Sequence, residues 1–106
     1  MALRPKNLGQ TAPAAGAEVD VYAVPTAAAV MAKLHVTNRG SVTDLVRVAK
    51  RVGGVAVTES HYRAFDVPIA ARDDRTWSII AEAGDIITVR SSAGLCTFTL
   101  EGLLRS

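Results

Sequence analysis

The stretch AGDIITVRSSAGLCTFTLEG, Ala83 to Gly102, carries the clearest structural signal in the chain. Two short runs alternate between apolar and polar side chains, Ile86-Ile87-Thr88-Val89-Arg90 and Cys96-Thr97-Phe98-Thr99-Leu100, and Ser91-Ser92-Ala93-Gly94 joins them. Alternation at a period of two is what a strand with one buried face requires, and a Ser/Gly break between two such runs is a turn. Read locally, the stretch is a plain β-hairpin that contains no reactive group.

The same period recurs upstream. Its longest instance is Ala28 to Thr37, where Ala28, Val30, Ala32, Leu34 and Val36 take one face and Lys33, His35 and Thr37 the other, the pattern of a half-buried antiparallel strand. Asn38-Arg39-Gly40 ends it, because Asn and Gly both tolerate positive φ. Val19 to Val24, closed by Pro25, reads as a strand. So do Asp44 to Lys50, with Val46 and Val48 inward and Arg47 outward, and Thr76 to Ile80, with Trp77 and Ile79 on one face. His61 to Ile69 is extended, and Pro68 confines it to a sheet edge or a strand end. Gly53-Gly54 is a break, Val55 to Ser60 reads as a short strand or a loop, and Asp73-Asp74 makes an Asx-type turn. Thr43 to Val52 also admits a weak helical reading. Seven to eight short strands at near-regular spacing predict an all-β chain, an antiparallel β-sandwich of jelly-roll or Ig-like type, over residues 18–106. Residues 1–17 hold Pro5, Gly9, Pro13 and Gly16 and no periodicity, which predicts an extended N-terminal arm. Such an arm is mobile in a monomer and becomes ordered against a neighbouring subunit.

A chain of 106 residues is the size of one domain. Hydrophobic residues make up 49% and aromatics only 5%, so Ala and Val supply most of the apolar content. Charged residues are 21%, below the roughly 25% of ordinary domains, which suits a protein that covers part of its surface with copies or partners. The net charge is +2 and acidic residues interleave with basic ones, as in Arg72-Asp73-Asp74-Arg75. A nucleic-acid binder concentrates its positive charge, so no direct nucleic-acid partner is expected. One cysteine leaves no internal disulfide and no multi-cysteine metal site, and Cys96, alternating with Phe98 and Leu100, reads as a small buried hydrophobe. The N-terminal residues have no apolar run of signal-peptide length and no later run is long enough to span a bilayer. The expectation is a protein made in the cytoplasm, without a membrane partner, that stays soluble unless it is assembled into something.

Reactive constellations are scarce. His35 falls on the polar face beside Lys33 and Thr37, where a solvated side chain is expected. His61 lies five residues before Asp66, a pair that could orient a base, but no nucleophile motif accompanies it. Glu59, His61 and Asp66 could supply three metal ligands, at a spacing that matches no signature. Asp73 and Asp74 are adjacent on an extended chain and so point apart, the geometry of a charged turn rather than of an acid and its base. Gly40, Gly84 and Gly94 sit at turns and form no phosphate cradle. The reading is a protein that is not an enzyme, with no catalytic residues, no metal ligands and no cofactor.

The order of the motifs carries a resemblance. Leu8-Gly9-Gln10 is followed by a Pro/Ala spacer and Val21-Tyr22-Ala23-Val24-Pro25. Then come the long strand ending in Asn38-Arg39-Gly40, Val46-Arg47-Val48, and Phe65-Asp66-Val67-Pro68-Ile69 after Tyr62. Ala83-Gly84-Asp85 with Ile86 to Val89, and Thr97 to Gly102, close the series. Over nearly the whole chain this resembles a group of small tailed-bacteriophage virion structural proteins that carry "LGQ", "LYTVP", "NRG", "YDxPI" and "AGDxxxVY" in that order. Arg90 stands where those proteins often have an aromatic. The resemblance implies a virion component, assembled in the host cytoplasm in multiple copies on a tail, neck, baseplate or capsid, a homo-oligomer whose partners are copies of itself and other virion proteins. It implies no catalytic residue. Tyr22 is expected across the sandwich rim, and Asp66 as an acceptor of amide hydrogen bonds at a strand end. The competing reading is a receptor- or carbohydrate-binding β-sandwich module. That reading needs exposed aromatics, whereas Tyr62, Phe65 and Trp77 mostly occupy alternating apolar positions.

Overall fold

A computed structural model describes residues 3–105, and every element in it apart from two short 3-10 turns is a strand. In chain order the strands are β1 (Leu3–Thr11), β2 (Glu18–Ala23), β3 (Ala29–Asn38), β4 (Asp44–Arg51), β5 (Tyr62–Ile69), β6 (Asp74–Glu82), β7 (Ile86–Ser91) and β8 (Cys96–Arg105). They form two four-stranded antiparallel sheets, ordered β1-β8-β3-β6 and β2-β7-β4-β5. The expected β-sandwich is therefore observed.

The strand order decides its type. β1 pairs with β8, β2 with β7, β3 with β6 and β4 with β5, the pairings of one long hairpin whose tip is the β4–β5 connection. Rolling that hairpin up adds the β3–β8 and β4–β7 pairings and closes the two sheets over each other. This is the double Greek key of a jelly roll and not an Ig-like arrangement. Every connection except β4–β5 passes from one sheet to the other.

The closing stretch is consequently not a hairpin. β7 lies in the second sheet and β8 in the first, so Ser91 to Leu95 is an arch that crosses the sandwich. Period-two alternation is the same for strands that pair with each other and for strands that face each other across a core, which is why the local reading goes astray here. The arch is held from a distance. The buried Asp44 carboxylate, at the start of β4, accepts the Ser91 hydroxyl, the Ala93 N–H at 2.8 Å and the Leu95 N–H at 3.2 Å. Gly94 takes φ +72 in the bend, a left-handed conformation that side chains rarely adopt. Burial pushes the Asp44 carboxyl up, but the hydrogen bonds from Ser91, Ala93 and Leu95 outweigh it and hold it below its ordinary value.

The segment expected as an arm also lies elsewhere. Leu3–Thr11 is β1, the edge strand of the first sheet, in register with β8 from Leu3↔Arg105 to Thr11↔Phe98 apart from one shift between Asn7 and Gly9. Leu8 packs against the core. A Cβ on Gly9 would run into the Val21 carbonyl, so β1 crosses β2 too closely there for any larger residue. Pro and Gly abolish helical and strand periodicity without preventing an edge strand, because an edge needs only one row of backbone bonds. Met1 and Ala2 lie outside the described residues.

The inner row reads as the alternation requires: Val30, Leu34 and Val36 are buried with Ala28 and Ala32, and they meet Val46, Val48, Ile87, Val89, Phe98 and Leu100 between the sheets. Full burial of one such side chain contributes roughly 1.5–3 kcal/mol. Pro68 sits on β5, an edge strand as its missing N–H demands. The 52–61 connection contains two short 3-10 turns, Val52–Gly54 and Glu59–His61, and no helix over Thr43 to Val52.

Candidate interaction surface

The outward positions of the first sheet come into line because β8, β3 and β6 pair in continuous register. Leu103, Met31 and Ile80 stand opposite one another, and on the next outward row so do Glu101, Lys33 and Ser78. Met31 and Ile80 are 54% and 67% exposed. Together with Asn7 and His35 they line a groove of about 800 Å³ over the sheet. His35 is anchored there at both ring nitrogens, Nε2 lying 3.1 Å from Glu101 Oε1 and Nδ1 3.0 Å from Thr76 Oγ1. The expected solvated histidine is thus half-buried in a polar row that borders an apolar one. Met31 was detectable in the sequence as an apolar residue on the polar side of the Ala28–Thr37 alternation.

The outer face of the second sheet is built differently. Arg47 donates to Asp66 through Nε at 2.7 Å and Nη2 at 3.2 Å, and its guanidinium carbon stacks 4.1 Å from the centroid of the Phe65 ring. Tyr62 meets Phe65 edge to face at 4.9 Å. Arg51 and Thr88 both donate to Asp20, and Arg90 donates to the Gly16 carbonyl and the Ser92 hydroxyl. Hydrogen bonds from Arg47 hold the Asp66 carboxyl below its ordinary value. Asp66 thus takes a side-chain partner in place of the expected backbone amides. Its φ of +51 breaks the alternation of β5 and turns Phe65 outward, 55% exposed, although the run Phe65 to Ile69 gives no local sign of a bulge.

The other residues weighed as chemical groups are dispersed. His61 Nδ1 accepts the Thr58 N–H at 3.2 Å in the β4–β5 connection, while Asp66 is held by Arg47, so the two do not form a pair. Among the described residues no three His, Cys, Asp or Glu side chains converge as metal ligands, and Glu59, His61 and Asp66 stay apart. Asp73 lies in a turn, as expected, but not of Asx type: its Oδ1 accepts the N–H of the next residue, Asp74, at 2.8 Å, and the turn is closed by Asp73 N–H donating to the Ala70 carbonyl at 3.0 Å. Cys96 is buried, and burial with the nearby Asp44 pushes its thiol up to about 12, which keeps it protonated and unreactive. Tyr22 packs half-buried against the core, and burial raises its phenol. Trp77 likewise packs against the core from β6. Asp44, which organises the arch, has no local signature, because its Ser91 partner lies 47 residues away.

Among the described residues no helix is long and apolar enough to cross a membrane. Comparison with family models, curated proteins and solved structures finds no match to this chain.

Proposed function

We propose that this chain is a non-enzymatic structural protein of a tailed-bacteriophage virion, incorporated in multiple copies on the tail, neck, baseplate or capsid. The observation that carries the reading is the Leu103–Met31–Ile80 row, with Met31 and Ile80 exposed, on a sandwich whose inner core is already filled. Exposed apolar rows with polar borders mark surfaces that are covered by another protein. The motif order from Leu8-Gly9-Gln10 to Ala83-Gly84-Asp85 supports placing that partner in a virion. The mechanism is burial of area between subunits, with copies of itself and other virion proteins as partners and neither nucleic acid nor membrane required. Mass spectrometry of gradient-purified particles from the encoding phage tests it. The chain is expected at a copy number comparable to that of other structural proteins, and its absence from the particles overturns the reading.

A receptor- or carbohydrate-binding module is the second reading, and the groove holding Lys33, His35 and Glu101 favours it. Sugar rings, however, stack on aromatic faces, and here Phe65 and Tyr62 lie on the other sheet while Trp77 packs against the core. A glycan-array signal that His35→Ala abolishes would support this reading over the first.

A further inference from the structure

The four sheet edges of the sandwich are not alike. β1 carries Pro5 and a register shift, β2 has a shift between Asp20 and Tyr22, and β5 carries Pro68, the left-handed Asp66 and two irregular steps against β4. β6 instead pairs with β3 in unbroken register from Glu82↔Ala29 to Asp74↔Thr37, and its nine residues include neither Pro nor Gly. Prolines, bulges and short lengths are the devices that stop an edge from recruiting a further strand. Three edges have them, and β6 lacks them.

The hydrogen bonds identify which groups of β6 face outward. Asn38 N–H donates to the Asp73 carbonyl at 2.9 Å, which fixes the odd-numbered residues of this segment as those bonded to β3. By the alternation of an antiparallel pair, the even-numbered residues turn both N–H and C=O away from β3. The chain closes both ends of that outward row itself. Asp74 N–H donates to Asp73 Oδ1 at 2.8 Å, Glu82 N–H donates to Asp85 Oδ2 at 3.0 Å, and the Glu82 carbonyl accepts the Asp85 N–H at 3.0 Å. Thr76, Ser78 and Ile80 stand between these closures with exposed side chains. The Ile80 carbonyl accepts one bond from Lys50 Nζ at 2.9 Å and keeps a second lone pair.

We propose that β6 is the surface through which two copies of this chain associate, antiparallel about a twofold axis at Ser78. The row is complementary to itself. The axis sets Ser78 against Ser78 of the second copy and Thr76 against its Ile80, so outward donors meet outward acceptors in about six backbone bonds. The closed ends confine pairing to this uncharged centre, which keeps Asp74 of one copy from being drawn against Glu82 of the other. The contact is isologous, as a twofold dimer requires. This inference names the contact within the multi-copy reading above and rests on it only for the setting in which the copies meet.

The test is the solution mass of the full chain by sedimentation over rising concentration, alongside two edge variants. Ser78→Pro removes one outward N–H and no bond of the β3 ladder. The double variant Thr76→Lys/Ile80→Lys sets ammonium against ammonium across the axis at exposed positions. The expected result is a dimer for the natural chain and a monomer for both variants, with their melting temperatures retained. Oxidised Ser78→Cys is expected to crosslink two copies, because directly paired residues lie about 5.5 Å apart at Cα. A natural chain that stays monomeric at every concentration overturns the proposal, and so do folded edge variants that associate as strongly as the natural chain. If Ser78→Pro fails to fold, the double lysine variant decides. Purified particles separate the two claims: particles without the chain remove the virion reading, whereas particles that take up the edge variants normally remove the β6 contact alone.

Discussion

Across the outer face of β2-β7-β4-β5, Arg47 grips Asp66, Arg51 and Thr88 share Asp20, and Arg90 reaches the Gly16 carbonyl and Ser92. Across the outer face of β1-β8-β3-β6, an apolar row of Leu103, Met31 and Ile80 runs beside the His35–Glu101 pair. Both sheets bury one face on the same core and follow the same alternation, so the core does not dictate the contrast. On the second sheet Arg47, Arg51 and Arg90 find polar partners within the chain, and the exposed Phe65 ring lies under the Arg47 guanidinium. On the first sheet the apolar groups Leu103, Met31 and Ile80 adjoin only one another, and Met31 and Ile80 stay largely open to solvent. The edges repeat the contrast, with β5 interrupted by Pro68 and the Asp66 bulge and β6 regular along its length.

The contrast breaks most completely if the inner and outer rows of β3 have been exchanged. Leu34 is fully buried and Met31 is 54% exposed, three positions away on the opposite face. Leu34→Asp leaves an unpaired charge in the core, at a cost of several kcal/mol against a total stability of about 5–15 kcal/mol. It is expected to abolish the cooperative thermal transition in circular dichroism, while Met31→Asp keeps it. A Leu34→Asp chain that melts cooperatively would place the core on the other face.

Next in size is the loss of β1. Deleting residues 2–11 uncovers the β8 ladder from Arg105 to Phe98 and removes Leu8 from the core. The expected outcome is a large fall in melting temperature or failure to fold. A truncated chain that melts like the full one would restore the reading of this segment as a dispensable arm.

Asp44→Asn acts on the arch between the sheets. It exchanges charge-assisted bonds for weaker ones around a buried side chain, with an expected cost of about 1–3 kcal/mol. The acid response carries the same information. The folded carboxyl lies below its ordinary value of 3.8, so the folded state binds this proton more weakly than the unfolded chain does. Its contribution to stability is therefore complete above that ordinary value and is lost as pH falls through the folded one. Denaturant unfolding from neutral pH down to about pH 3 is expected to show a shallower acid decline in Asp44→Asn than in the natural chain. Parallel declines would mean that Asp44 plays no part in it.

The smallest effect separates the two outer faces directly. Arg47→Ala removes the Asp66 bonds and the cation over Phe65, and a slightly lower melting temperature is expected. Met31→Ser removes an exposed side chain that the fold does not use, and no shift is expected. Equal shifts in differential scanning calorimetry would dissolve the distinction.

Much of this molecule is legible one strand at a time. Val30, Leu34 and Val36 declare an inward face by spacing alone, Pro68 declares an edge because it has no N–H to give, and Asp73 declares a turn because its carboxylate reaches the next amide. These are local consequences of backbone geometry, and composition together with alternation sufficed for an all-β sandwich. Three features lay beyond local reading. Whether Ser91 to Leu95 makes a hairpin or an arch depends on Asp44, which lies far away in the chain and supplies the acceptor that holds the bend. Whether Leu3 to Thr11 hangs free or joins the sheet depends on the unused edge that β8 offers it, since an irregular segment can satisfy its backbone only on another strand. Phe65 turns outward because Asp66, gripped by Arg47 from β4, adopts a positive φ and breaks the alternation. The sequence by itself therefore determined the strands and their inward faces, because side-chain alternation is a property of each strand alone. Only the tertiary structure decided which strands became neighbours, because pairing is chosen among distant segments by hydrogen bonds and burial that exist only once the sheets have closed.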